Sequence, residues 1–124
     1  MTKVLIAAEP GETLDILAAE IAGQGHDVTV AGTGLDACEI ALRLKPDAVV
    51  LDAQLPVFDG LAVSRMLRDD PDVPQDLPIF IIAGKELDPK AVETAGVTEL
   101  IPQRHQETDL RELFARHLGK ALWL

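Results

Sequence analysis

The stretch Val49-Val50-Leu51-Asp52-Ala53-Gln54-Leu55-Pro56-Val57-Phe58-Asp59-Gly60 decides how this chain reads. Its apolar opening runs straight into one carboxylate, Asp52, and a Pro/Asp-Gly loop follows at once. A strand that ends on an acid and opens into such a loop sets that acid on the carboxyl-end rim of a sheet, where open α/β folds place their ligand sites. Asp59-Gly60 reads as a turn feeding the next helix.

Outward from that stretch, short apolar runs alternate with helical periodicity. The runs predict strands at Val4 to Ala8, Val28 to Ala31, Ala48 to Leu51, Ile79 to Ile82 and, more weakly, Glu99 to Ile101. Leu14, Leu17, Ala18 and Ile21 share one helical face, as do Leu110, Leu113, Phe114 and Leu118. Thr33 is placed to cap a helix from Leu35 with Asp36 in capping-box position, and Asp109 with Glu112 offers the same arrangement for the last helix. Gly23 and Gly25 close the first helix, and Lys45-Pro46 closes the second.

Strand and helix alternating this regularly imply parallel βαβ units with right-handed crossovers. The third and fourth strands are apolar throughout, as strands covered by helices on both faces are. The expected fold is a three-layer, doubly wound, five-stranded parallel α/β sheet forming a single domain over 1–124. The segment 70–78 carries three of the eight prolines but is too short for a domain linker.

Charge and composition narrow the function. With 11 basic and 21 acidic residues the net charge is −10, which disfavours nucleic-acid binding because phosphate contacts need a basic face. Phe58, Phe80, Phe114 and Trp123 are too few for a base-stacking platform. No apolar run reaches the ~20 residues of a membrane span. The start Met1-Thr2-Lys3-Val4 lacks a secretory layout, so a cytoplasmic location is the expectation. The single cysteine, Cys38, excludes an intrachain disulfide and reads as a small buried residue. His26, His105 and His117 have neither the mutual spacing nor the context of ligands, and Trp123 fits either a core cap or a partner contact. A flavodoxin-like cofactor enzyme is set aside, because Glu9-Pro10-Gly11-Glu12 is acidic and poor in the residues that cradle phosphate.

The pattern D-x-x-L-P-x-x-D-G from Asp52 resembles the phosphoacceptor loop of bacterial response-regulator receiver domains. Lys3-Val4-Leu5-Ile6, Gly25-His26-Asp27-Val28, Lys45-Pro46-Asp47, Pro78 to Ile82 and Ala95-Gly96-Val97 resemble the family's other landmarks, so the resemblance covers nearly the whole chain. It implies a flavodoxin-like sheet in the order 2-1-3-4-5, no enzymatic role of its own, and a part in two-component signalling. The family works with two adjacent acids after strand one, an acceptor Asp, a Thr/Ser after strand four and a Lys after strand five. Acids and acceptor hold Mg²⁺ while phosphoryl arrives from a partner's phosphohistidine; the hydroxyl and Lys then grip it.

Carried onto this chain, the acid pair becomes Ala8-Glu9, the acceptor is Asp52, the hydroxyl position is Ala83 and the Lys position is Gln103. The aromatic switch position is Leu100, and the Pro after the Lys is Arg104. Glu9, Asp52 and the Gln54 backbone carbonyl remain as Mg²⁺ ligands, enough for weak binding because Mg²⁺ commonly takes one or two carboxylates plus water. Each hydrogen bond to a charged group is worth roughly 1.5–3 kcal/mol, so losing the Lys and the hydroxyl removes several. Three acids and one Lys give a standard pocket −2; two acids and no Lys give −2 here, which fits a site kept as a stable apo fold. Lys85 and Arg104 are candidate compensating cations, with solvated surface charge as the plainer reading of both. Pro102 precedes Gln103, so the family's cis bond after the Lys cannot form, and the Ile101–Pro102 bond is expected trans.

Two functions follow. One is a pseudo-receiver that docks a histidine kinase or other signalling protein without phosphorylation, through the face of the fourth helix, fifth strand and fifth helix around Leu100 to Leu113. The other is an active receiver phosphorylated on Asp52 by a histidine kinase.

Overall fold

The computed structural model describes residues 2–83, 87–103 and 107–118. Strands and helices alternate along it: β1 (Lys3–Ala7), α1 (Glu12–Gly23), β2 (Asp27–Ala31), α2 (Gly34–Leu44), β3 (Ala48–Asp52), α3 (Gly60–Asp69), β4 (Ile79–Ala83), α4 (Pro89–Thr94), β5 (Glu99–Pro102) and α5 (Glu107–Leu118). The strands form one parallel sheet in the order β2-β1-β3-β4-β5. Each predicted strand is present, displaced by no more than a residue at either end.

Alternation along each strand sends side chains into two separate cores. Leu5, Ala7, Val49, Leu51, Ile79 and Ile81 face one, shared with Ala37 and Ala41 of α2 and Val63 and Leu67 of α3. Val4, Ile6, Val50, Phe80 and Ile82 face the other, closed by Leu14, Leu17 and Ile21 of α1 and Leu110, Leu113 and Phe114 of α5. Because β1, β3 and β4 contribute to both cores, they are apolar almost throughout.

Local chemistry sets the helix ends. Thr33 Oγ1 accepts a hydrogen bond from the Asp36 amide at 3.1 Å, so α2 begins at Gly34, one residue earlier than expected. Lys45 ends α2 in the left-handed region (φ 54°), where a side chain is disfavoured, and Pro46 prevents continuation. After α1 the chain turns through Gln24 and Gly25, the latter at φ 96°. Asp109 does not cap α5. The helix already begins at Glu107, which puts Asp109 inside its first turn, where an acid favours the helix dipole.

Candidate functional site

Asp52 is the last residue of β3, half-buried, and paired in register with Ile82 at the sheet's carboxyl end. Its Oδ1 accepts from the Gln54 amide at 2.9 Å, which fixes the carboxylate over the first bend of the loop. The Ala53 amide donates to the Ile82 carbonyl at 3.0 Å, carrying β3–β4 pairing to the rim.

The loop beyond is pinned at both ends. The Gly60 amide donates to the Ala53 carbonyl at 3.1 Å, and a Cβ at Gly60 would lie 2.5 Å from the Asp52 carbonyl oxygen, so only glycine lets α3 start this close. Asp59 does more than turn the chain: its Oδ1 accepts from the Ala62 amide at 2.8 Å and caps α3. The Gly34 amide donates to the Pro56 carbonyl at 3.0 Å, tying the loop to α2. Between these anchors Val57 sits at φ 72°, in a tight turn whose Phe58 amide donates to the Pro56 carbonyl at 3.0 Å. A β-branched residue at positive φ is a true outlier.

The described residues near Asp52 include alanines at the ends of two strands. Ala8 and Ala83 are buried at the ends of β1 and β4, offering no oxygen. Leu100 is 44% exposed on β5, and Gln103 is exposed just beyond that strand. Asp52 and Gln103 line one cleft of about 530 Å³, walled by Ile16, Leu17 and Glu20 of α1 and by Ile82. Glu9 lies exposed on the loop after β1 and does not line that cleft. Among the described residues no group of three or more His, Cys, Asp or Glu side chains comes together to hold a metal ion. Ala8 is buried and carries no donor side chain, so Glu9, exposed on its loop, and Asp52 are the carboxylates that could hold Mg²⁺ with water. The Ile101–Pro102 peptide is trans. Lys85, Arg104, His105 and Trp123 lie outside the described residues.

Three features escaped sequence reasoning. His26 is only 4% exposed, set edge-on to Phe114 with ring centroids 5.1 Å apart, and neither ring nitrogen has a hydrogen-bond partner among the described residues. Burial pushes its pKa below the ordinary histidine value. His117 of α5 pairs through Nε2 with Glu99 Oε2 and packs on Phe80. Arg68 of α3 donates to the Gly96 carbonyl at 2.9 Å, the Gln75 carbonyl at 3.0 Å and Thr98 Oγ1 at 3.4 Å. No periodicity or motif marks any of these. Cys38 is half-buried rather than buried, its Sγ 3.6 Å from Met66 Sδ, because α2 meets α3 near its exposed edge.

An acid at the tip of β3 in a 2-1-3-4-5 sheet, followed by a loop pinned on glycines, agrees with the sequence match. Residues 4–115 match the family described as the response regulator receiver domain. The chain belongs to that family. Response regulator MprA of Mycobacterium leprae is 32% identical over 116 residues, covering 92% of this chain and 48% of MprA. This receiver domain therefore spans about half the length of the curated relatives it matches. Among solved structures, the receiver domain of the sensor histidine kinase PA1611 from Pseudomonas aeruginosa, with magnesium in its active-site cleft, superposes with a TM-score of 0.86 at 22% identity, covering 96% of this chain and 98% of that one. The BeF₃-activated N-terminal receiver domain of Klebsiella pneumoniae RstA gives 0.82 at 27% identity, covering 96% and 100%.

Proposed function

We propose that this receiver domain is degenerate and acts in two-component signalling, in the cytoplasm, as a protein-interaction module that does not need phosphorylation. The observation that carries the reading is the company Asp52 keeps. Its rim has Ala83 where a hydroxyl would grip the phosphoryl group and Gln103 where a cation would. Two contacts to a charged group, at roughly 1.5–3 kcal/mol each, are thereby absent. Leu100 has no ring or polar edge to move in response. Glu9, Asp52 and the Gln54 carbonyl make a weak Mg²⁺ site.

The docking surface is the α4–β5–α5 face. Leu100 is exposed there beside a shallow groove of about 190 Å³ that includes Pro102, Leu110 and Leu113. Arg116 bridges α5 to β5 through Glu99 at 3.3 Å. An apolar centre with charged edges suits a histidine kinase or another signalling protein.

The test is labelling of the purified chain with acetyl phosphate or beryllofluoride and Mg²⁺, with Asp52→Asn as control and partner binding read in parallel. No labelling together with intact binding, weakened by Leu100→Glu, is the expected result. Robust labelling at Asp52 that changes partner affinity establishes the phosphorylated receiver instead.

A further inference from the structure

We infer that the outer face of α2, with the edge of α3 beside it, is where two copies of this chain pair about a two-fold axis. Leu35 and Leu42 of α2 are each 44% exposed, and Met66 of α3 is 40% exposed. They form one patch. Cys38 lies between the two leucines on the same helix, three residues after one and four before the other, and its Sγ reaches Met66 Sδ at 3.6 Å across the junction with α3. Exposed Asp36, Glu39 and Arg43 border the leucines on α2. A contiguous apolar stripe rimmed by charge marks an interaction surface.

Charge selects a second copy as the occupant. Together α2 and α3 carry Asp36, Glu39 and Asp69 against Arg43, Arg65 and Arg68, which sums to zero in a chain of net charge −10. Two such faces meet without the repulsion that the chain's overall charge imposes. Helix α1 gives the contrast: it also exposes an apolar residue, Ile16, but carries Glu12, Asp15 and Glu20 with no base.

The order of charges along α2 sets the orientation. Asp36 lies in the first turn and Arg43 in the last, and among the described residues no ion pair engages either. Across a two-fold axis perpendicular to α2 the two helices run antiparallel, and each contact is returned by the copy. Leu35 of one copy then meets Leu42 of the other, and Asp36 meets Arg43. The members of each pair are seven residues apart in sequence, and the midpoints of the two pairs differ by one residue, about 1.5 Å along the helix, so one register serves both. Glu39 falls at the centre of that register, opposite its own copy, where like charges weaken the pair. An interface of this kind, a short apolar stripe with a charged rim, belongs to the class that buries less than ~1,200 Å² and associates transiently. It shares no residue with the α4–β5–α5 face, so pairing leaves that face open.

The experiment is sedimentation velocity of the chain from roughly 10 μM to 1 mM, with amide chemical shifts confirming that each variant is folded. A concentration-dependent dimer is expected, and Leu42→Glu abolishes it. Arg43→Glu sets an acid against Asp36 in both halves of the interface and weakens the dimer at least ~tenfold, because facing like charges are costly. Adding Asp36→Arg to Arg43→Glu reverses the polarity of both pairs and restores the affinity to within about threefold of the parent. Glu39→Gln removes the like charges at the centre and tightens the dimer roughly two- to fivefold. Glu39→Cys, in a Cys38→Ser background, links two copies through a disulfide on mild oxidation. A chain that stays monomeric up to about 1 mM overturns the proposal. So does a dimer that Leu42→Glu leaves intact, or one that the reversed charge pair fails to restore. A dimer lost in Leu100→Glu but kept in Leu42→Glu would put the pairing on the α4–β5–α5 face and overturn it as well.

Discussion

At the corner where α3 meets the α4–β5 turn, a single guanidinium places its donors on three acceptors, and Gln75 Nε2 returns a bond to the Arg68 carbonyl at 2.8 Å. Thr98 Oγ1 also accepts from the Ile79 amide at 2.9 Å, and Ser64 Oγ donates to the Ala95 carbonyl at 2.7 Å. At the carboxyl-end rim, Asp52 holds one local backbone amide, pairs in register with Ile82 and shares a cleft with Gln103. The corner ties Ser64, Arg68, Gln75 and Thr98 into one set of long-range hydrogen bonds, whereas the hydrogen bond that Asp52 makes among the described residues is to an amide two positions on.

That contrast predicts its largest effect at the corner. Arg68→Ala strips three acceptors in partly buried surroundings, and each bond to a charged donor is worth roughly 1.5–3 kcal/mol with strong non-additivity. A loss of about 3 kcal/mol in urea unfolding is expected, with amide exchange faster at Gly96 and Thr98 than at Gln54. A loss below about 0.5 kcal/mol would remove the corner from the comparison.

A smaller effect follows from His26, buried against Phe114 with no hydrogen-bond partner among the described residues. Burial lowers its folded-state pKa below the ordinary value of about 6.5. In the window between the two values the unfolded chain binds a proton that the folded chain refuses, so stability rises with pH across it. The contribution is complete above about pH 6.5 and is lost as pH falls below it, by at most about 1.4 kcal/mol per pH unit. Other groups titrate as well, so the measured quantity is the difference between parent and His26→Leu. The variant should fall less steeply on acidification; identical slopes would place the ring in contact with water.

The rim's strain gives a third effect, of opposite sign. Val57 at φ 72° is held by anchors on Gly34 and Gly60. Val57→Gly relieves about 1–2 kcal/mol of backbone strain and costs some unfolded-state entropy, for a net gain of about 0.5–1 kcal/mol. A thermal midpoint that falls would show that the loop is set by other contacts.

The fold was legible because its signal is periodic. Continuous apolar runs through β1, β3 and β4 mark strands covered on both faces, and Leu14, Leu17 and Ile21 at helical spacing mark the covered face of α1. The rim was legible for a different reason: Asp52, Asp59 and Gly60 act on backbone a few residues away, so spacing alone carries their roles. Arg68 and His26 were not legible. Their partners lie up to 30 and 88 residues away, and nothing in a local window says which surface a side chain will meet. Asp109 misled because a capping pattern one turn inside a helix looks the same as one at its start.

The smallest effect is at Asp52 itself, and it separates an idle acid from a working one. Asparagine keeps an oxygen to accept the Gln54 amide, so the bend over the rim survives Asp52→Asn. What changes is one negative charge. Where several carboxylates crowd one pocket, removing a charge relieves repulsion and stabilises the apo fold by more than about 1 kcal/mol, a gain that Mg²⁺ erases by stabilising the parent. Here Ala8 is uncharged and Glu9 is exposed to solvent, so little repulsion is expected between Asp52 and the loop after β1. The expected change in unfolding free energy is within about 0.5 kcal/mol, equal with and without millimolar Mg²⁺. A larger stabilisation that Mg²⁺ cancels would mean that Glu9 swings in beside Asp52, and the rim would then belong with the engaged corner.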